Sequence, residues 1–128
     1  MITGFKQQFE QPIEDGFKIH TLREDKKGRY TGGATLHLAT GVRTKAYRCI
    51  KKVLCTGTQK VAILYGNGGY YDVFVYQDVR VVVDERELSY LEIITLAKND
   101  GFDGADSFFK WFNKDFKGKI VHWTKFRY

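Results

Sequence analysis

The sequence predicts an α+β protein built on a small mixed β-barrel with flanking helices. Three observations carry this. Short apolar segments broken by glycines fill the first two thirds of the chain, the hydrophobic period changes to a helical one after Ser89, and an extended apolar segment returns after Gly118. Several strands, then two helices, then one last strand is the order of an α+β chain, not of alternating βαβ units. The 128 residues, 43% apolar and 16% aromatic with a single proline, are expected to form one domain over 1–128 around one core. No run of 18 apolar residues and no basic-then-apolar leader is present, so the expectation is a cytoplasmic protein without a membrane partner.

Taken in order, Ile2 to Phe9 reads as an opening strand or short helix, and Pro12 suits the first turn of a brief helix ending before Gly16. Arg29 to Gly33 is a loop, followed by a strand from Ala34 to Ala39 with Leu36 and Leu38 on one face and His37 opposite. Thr40-Gly41 turns the chain into extended segments over Thr44–Thr56, as one long strand or a pair, and Lys60–Tyr65. Residues 66–69, with Asn67-Gly68-Gly69, read as a hairpin into a strand over Tyr70–Tyr76. No helix follows that glycine run, which argues against a phosphate-cradling loop. Val79 to Val83 is a further strand, strongly apolar and central.

Ser89 and Glu92 form a Ser-x-x-Glu capping box, with Leu88 and Ile93 spaced as a hydrophobic staple. They predict a helix from Tyr90 to Lys98 whose apolar stripe is Leu91, Ile94 and Ala97 or Lys98, stopped by Gly101. Asp103 is placed to cap a second helix, Gly104 to about Asp115, with Phe108, Phe109, Trp111 and Phe112 mostly in the core. Gly118 ends it, and Lys119–Phe126 closes the fold as a strand.

Cys49 and Cys55 lie in one extended segment, about 20 Å apart and beyond disulfide reach. Their spacing to His20, His37 and His122 fits no zinc pattern, so both read as buried structural thiols, and neither metal nor cofactor is expected. Charge is more telling. The net +6 concentrates between Lys18 and Lys52, where ten basic residues face two acidic ones, leaving −2 on the remainder. A one-sided charge is either a solvated basic face or the footprint of an anionic partner, with nucleic acid or nucleotide phosphate the leading class.

That segment opens with Gly16-Phe17-Lys18-Ile19-His20-Thr21-Leu22-Arg23. A hydroxyl is a poor nucleophile until a base takes its proton, and an ammonium is a poor base until its surroundings lower its pKa. Lys18-x-x-Thr21-x-Arg23 holds the parts of an activated hydroxyl beside an anion clamp, although such a triplet also arises by chance in a basic strand. On a regular strand Lys18 and Thr21 would face opposite sides, so joint action requires a bend, which Gly16 permits. Asp100, at the end of the first predicted helix, is the second feature. Its carboxylate meets the negative end of the helix dipole, where a cation is the usual choice. It is either a turn residue bonding the backbone before Gly101 or the partner of a cation such as Lys18.

Gly16-x-Lys18-x-x-Thr21-x-Arg23, Arg29 with Gly32 or Gly33 before a strand, Gly41-x-Arg43, and a helix ending in Asp100-Gly101-Phe102 together resemble the ASCH domain family of the PUA-like superfamily. Trp111-Phe112 and Val121-His122-Trp123 look like features of its small bacterial and phage members, and the resemblance runs from about Phe5 to Trp123. It implies a PUA-like barrel with a cleft between barrel and helices that binds RNA or nucleotides. One bacterial branch hydrolyses the acetamide of 4-acetylcytidine with a lysine, a threonine and a glutamate. Lys18 and Thr21 match the first two, and the glutamate's place falls on Asp100, one methylene shorter.

Two functions follow as expectations. As an RNA- or nucleotide-binding module, Lys18 and Arg23 hold phosphate, Arg29, Arg43 and Lys45 extend a basic track, and Tyr30 or Tyr70 stacks on a base. As an amidohydrolase, Thr21 attacks the acyl carbonyl, Lys18 takes its proton, Asp100 positions or relays, and Arg23 holds substrate, with Arg23 and Arg43 helping to depress the Lys18 pKa. Binding demands less of the geometry and is preferred. A protein-interaction role for the Tyr and Phe residues near Gly69 is a third reading, and His20 is read as a packed side chain.

Overall fold

The computed structural model describes residues 1–66 and 79–128. The described elements are β1 (Ile2–Phe5), a 3-10 turn (Gln7–Phe9), α1 (Glu10–Glu14), β2 (His20–Arg23), β3 (Thr35–Thr40), β4 (Arg48–Leu54), β5 (Gly57–Tyr65), β6 (Val79–Val83), β7 (Arg86–Glu87), α2 (Tyr90–Asn99), α3 (Ala105–Trp111) and β8 (Phe116–His122). They form an α+β fold with two sheets, ordered β1-β3-β4 and β2-β8-β5-β6-β7. Among the described residues the sheets do not close into a barrel. The predicted hairpin at 66–69 and strand at 70–76 lie mostly outside the described residues. No helix among those described is long and apolar enough to cross a membrane.

The first sheet is mixed, because β1 runs parallel to β3 while β3 and β4 are antiparallel. The second is antiparallel throughout, with β8 between β2 and β5. Val79, Val81 and Val83 of β6 face the core between β5 and β7, as a central strand should. Leu36 and Leu38 of β3, Ile63 of β5, Ile120 and Val121 of β8, Leu96 of α2 and Phe108 and Phe109 of α3 are fully buried and form the middle of the core.

Local chemistry sets several boundaries differently from the sequence pattern. The long segment after Gly41 becomes strand only at Arg48, because Thr44 donates its hydroxyl to the Gly41 carbonyl and receives the Ala46 N–H, closing a turn. Along β5, pairing with β8 begins at Gly57, three residues before the expected start. Helix α3 is shorter than predicted. Its first cap is Gly104, whose carbonyl accepts the Ser107 hydroxyl, while Asp103 stands exposed. It ends at Trp111 because the next turn is recruited elsewhere: Tyr65 donates its hydroxyl to the Phe112 carbonyl and its N–H to the Asp115 carboxylate at 2.8 Å. Cys55 is buried, but Cys49, on the outer strand β4, is only half-buried.

The capping box of α2 is complete, with Glu92 N–H on Ser89 Oγ at 3.2 Å and Ser89 N–H on Glu92 Oε1 at 3.0 Å. The staple pair Leu88 and Ile93 is buried. By burying Ile93, the staple sets the phase of the helix, so the buried stripe is Ile93, Leu96 and Ala97 and not the predicted one. Leu91 is 74% exposed. One turn beyond Leu96 and Ala97, the same stripe reaches Asp100.

Gly118 lies inside β8, opposite Val61, and does not end a helix. A Cβ there would collide with the Arg23 carbonyl of β2. Gly118→Ala is therefore expected to push β2 from β8 and lower stability by about 1–3 kcal/mol, seen as a fall in Tm. An unchanged Tm would contradict this packing.

Candidate functional site

Lys18 and Ile19 precede β2, so strand alternation does not govern them. Backbone hydrogen bonds hold them instead: Lys18 N–H donates to the Pro12 carbonyl at 3.0 Å and Ile19 N–H to the Asn99 carbonyl at 2.8 Å. This lays the segment across the C-terminal end of α2. Gly101, with φ +93°, completes the fit, because a Cβ there would lie 3.1 Å from Lys18 Cδ and 3.2 Å from the Phe9 ring. Glycine is required at this position both for its left-handed backbone and for its missing side chain. From His20 onward β2 is regular, so Thr21 and Arg23 share one face.

These elements enclose a cavity of about 280 Å³. Its polar lining is the exposed Lys6 and four more enclosed residues, Lys18, Thr21, Arg23 and Asp100, and its walls are Phe5, Phe9, Phe102, Trp111 and Phe112. The rings meet edge to face, with centroids 5.4 Å apart for Phe9–Phe102 and 5.3 Å for Phe9–Trp111. A wider depression of about 620 Å³ between α2 and α3, lined by Tyr90, Asp106 and Lys110 among others, contains none of the four polar residues. Volume alone would select it, but the smaller cavity holds the buried charges, and those are the better mark of a site.

At the base of the cavity, Lys18 Nζ donates to the Asp100 backbone carbonyl at 2.6 Å and to Asp100 Oδ1 at 3.1 Å. Asp100 thus sits in the turn that ends α2, and its side chain partners a cation and does not bond the backbone before Gly101. Lys18 also lies 4.7 Å and 5.4 Å from the ring centroids of Phe9 and Phe5, within cation–π range. Desolvation holds its pKa below the ordinary value, and the Arg23 charge adds to this, while Asp100 opposes both. His20 Nδ1 lies 3.1 Å from the same Asp100 Oδ1. Lys18, His20, Thr21 and Asp100 are all buried.

Arg23 donates from Nε to Thr21 Oγ1 at 3.3 Å and from Nη2 to the Gly4 carbonyl at 2.7 Å, with its guanidinium 4.8 Å from the Phe5 ring centroid. A guanidinium only donates, so the Thr21 hydroxyl keeps its own proton free. The four cavity residues are thus brought together. The other predicted ligand residues are not. Arg29, Arg43 and Lys45 are exposed and do not line the cavity. Tyr30 packs against the core and places its hydroxyl 3.4 Å from Thr3 Oγ1. Tyr70 lies outside the described residues. Among those described, no group of three or more His, Cys, Asp or Glu side chains could hold a metal ion.

Sequence reasoning misses the aromatic walls, His20's bond to Asp100, and Tyr128, whose hydroxyl lies 2.6 Å from His20 Nε2. The density of rings between Phe102 and Phe116 is a visible signal for the walls. Nothing in local spacing marks Tyr128. Compared with protein-family models, curated proteins and solved structures, the chain matches none.

The buried charges make stability depend on pH at both ends of the range. Asp100→Asn leaves the Lys18 ammonium buried without a counter-charge and should cost about 3–5 kcal/mol near neutral pH. Because the folded pKa of Lys18 lies below its ordinary 10.5, protonation favours the unfolded chain between the two values, and stability rises with pH across that window. The variant's deficit in urea should therefore shrink at pH 9.5, and a deficit that grew would contradict the pairing. At the acid end, burial holds His20 below the ordinary histidine value of 6.5 and His122 at about 3. Their contribution to stability is intact above about pH 6.5 and declines as pH falls toward about 3. The urea midpoint should drop between pH 6.5 and 4, and a flat profile would argue that these rings are solvated.

Proposed function

We propose that this chain is a PUA-like ASCH protein that binds a nucleoside or nucleotide, free or within RNA, by its base in the aromatic cavity. The observation that carries this reading is the combination of ring walls with a buried polar floor in a volume of about 280 Å³. Aromatic walls suit a planar base, which buries its faces against them without losing rotamer freedom. The floor supplies both polarities, a carboxylate acceptor in Asp100 and donors in Thr21 and Arg23. Among the bases that offer a donor and acceptors on one edge, the ASCH resemblance favours cytosine, with an amino donor beside two acceptors. The exposed Arg29, Arg43 and Lys45 would then act on the phosphate backbone of a longer strand, outside the cavity.

One observation favours catalysis as a second reading. Thr21 lines the same cavity as a lysine whose pKa is depressed by burial, and Arg23 already donates to its oxygen. In hydrolysis of an N-acylated cytidine, neutral Lys18 would take the Thr21 proton as Oγ adds to the acyl carbonyl. Lys18 would then return that proton to the departing amine, leaving an ester on Thr21 for water to cleave. Arg23 would stabilise the oxygen in its alkoxide form.

Calorimetry with cytidine, uridine, adenosine and a short single-stranded RNA tests the first reading. Cytidine should bind with little salt dependence, and Thr21→Ala or Arg23→Ala should weaken it about tenfold, the scale of one lost charge-assisted hydrogen bond. RNA should bind with a steep salt dependence that Arg43→Ala reduces. Absence of binding by every base would end the proposal. Incubation of 4-acetylcytidine with wild type and Thr21→Ala across pH 6–9 decides the second reading, and no turnover by wild type removes it.

A further inference from the structure

Behind the cavity floor runs a chain of hydrogen bonds, buried at Asp100 and half-buried at Tyr128, whose Asn99, Tyr128 and His20 neither functional reading uses. Asn99 Nδ2 donates to the Tyr128 hydroxyl oxygen at 3.1 Å, that hydroxyl lies 2.6 Å from His20 Nε2, and His20 Nδ1 lies 3.1 Å from Asp100 Oδ1. The proton positions follow from the two ends. An ionised carboxylate only accepts, so His20 Nδ1 carries the hydrogen. The neutral ring then offers Nε2 as an acceptor, which the Tyr128 O–H fills, and the Tyr128 oxygen is left to receive the Asn99 N–H. All the bonds point one way, from Asn99 through Tyr128 and His20 to Asp100.

We infer that His20 and Tyr128 are positioning residues for the cavity: the Tyr128 hydroxyl, donating to Nε2, anchors the His20 ring, and the Nδ1–H that faces Asp100 orients its carboxylate toward Lys18. Asp100 Oδ1 thereby serves two donors, Lys18 and His20. Its Oδ2 accepts no hydrogen bond among the described residues and is the oxygen left for a ligand. A rotated ring would break both contacts. The His122 ring stands edge to face against His20 at 5.4 Å and limits such rotation. The charged or titratable groups facing His20 are Asp100 and Lys18 on one side and Tyr128 and His122 on the other. Burial favours the neutral ring, since an imidazolium would set a second cation against the oxygen that Lys18 already uses.

The inference rests on reading this cavity as the ligand site, but its first test needs no ligand. Nitrogen-15 NMR of the imidazole and of the Lys18 amine would compare wild type with His20→Asn, His20→Leu and Tyr128→Phe. In wild type, Nδ1 should carry the proton and Nε2 should be bare, and Tyr128→Phe should keep that tautomer while lowering the Lys18 midpoint, because the ring has lost its second anchor. His20→Asn retains an N–H donor near the position of Nδ1, whereas His20→Leu retains only bulk. The Lys18 titration midpoint should stay near wild type in the first and fall in the second, where no N–H holds the carboxylate toward the ammonium. A packing role alone would move both variants alike, so equal midpoints overturn the inference, as does a proton on Nε2 in wild type. If His20→Leu does not fold, a Lys18 midpoint unchanged in Tyr128→Phe overturns it instead. Cytidine affinity gives a second readout, falling about tenfold in Tyr128→Phe if the carboxylate loses its orientation. Wild type that binds no nucleoside would count against the proposed function and leave the NMR outcome to decide the positioning role by itself.

Discussion

Every buried charge beneath the cavity depends on the carboxylate of Asp100, which is 2% exposed and receives donors from Lys18 and His20 on its Oδ1. Neither the ammonium nor the ring could be buried without it, because an unpaired polar group in the interior costs more than most single contacts contribute. Its position is inherited from the helix. The staple at Ile93 sets the phase of α2, and that phase carries the stripe of Ile93, Leu96 and Ala97 onward to Asp100. A cap at one end of a ten-residue helix thus decides which way a charge points at the other.

The two kinds of positive charge in this chain are separated by burial. Lys18 and Arg23 line a ring-walled cavity and are largely buried, so charges and dipoles act on them with less screening than at the surface. Arg29, Arg43 and Lys45 are exposed, screened by salt and free to meet a diffuse anionic surface. Recognition of a small group and attraction of a large polyanion can therefore be altered independently. A change at the surface need not disturb the pairing within.

Much of this is legible in the sequence because it is local. The capping box, the glycine stop at Gly101 and the strand over Val79–Val83 depend on neighbours a few residues away, and each stands where spacing places it. The cationic partner of Asp100 can be guessed because a carboxylate at a helix end is unfavourable unless something answers it. What escapes is decided at long range. Gly118 reads as a helix stop until β2 is laid against β8, and α3 reads as longer until Tyr65 claims the Phe112 carbonyl and the Asp115 carboxylate. The stripe of α2 is misphased in the sequence pattern because Leu91 is as apolar as Ile93, and only the staple distinguishes them. Tyr128 has no local signal at all, since its partner is 108 residues away.

That separation has a kinetic side. β2 pairs with β8, and Lys18 meets Asp100 at a sequence separation of 82. Closing such loops is slow because the entropy of closure is lost before the contacts that offset it are made. On a ribosome, Gly16 to Arg23 emerges long before β8 exists, and it must wait with a lysine, a histidine and an arginine facing water. β8 lines no part of the cavity, but it is the strand against which β2, with Thr21 and Arg23, is laid. A chain halted before β8 would hold every residue of the motif and leave Thr21 and Arg23 on a strand with nothing to pair with.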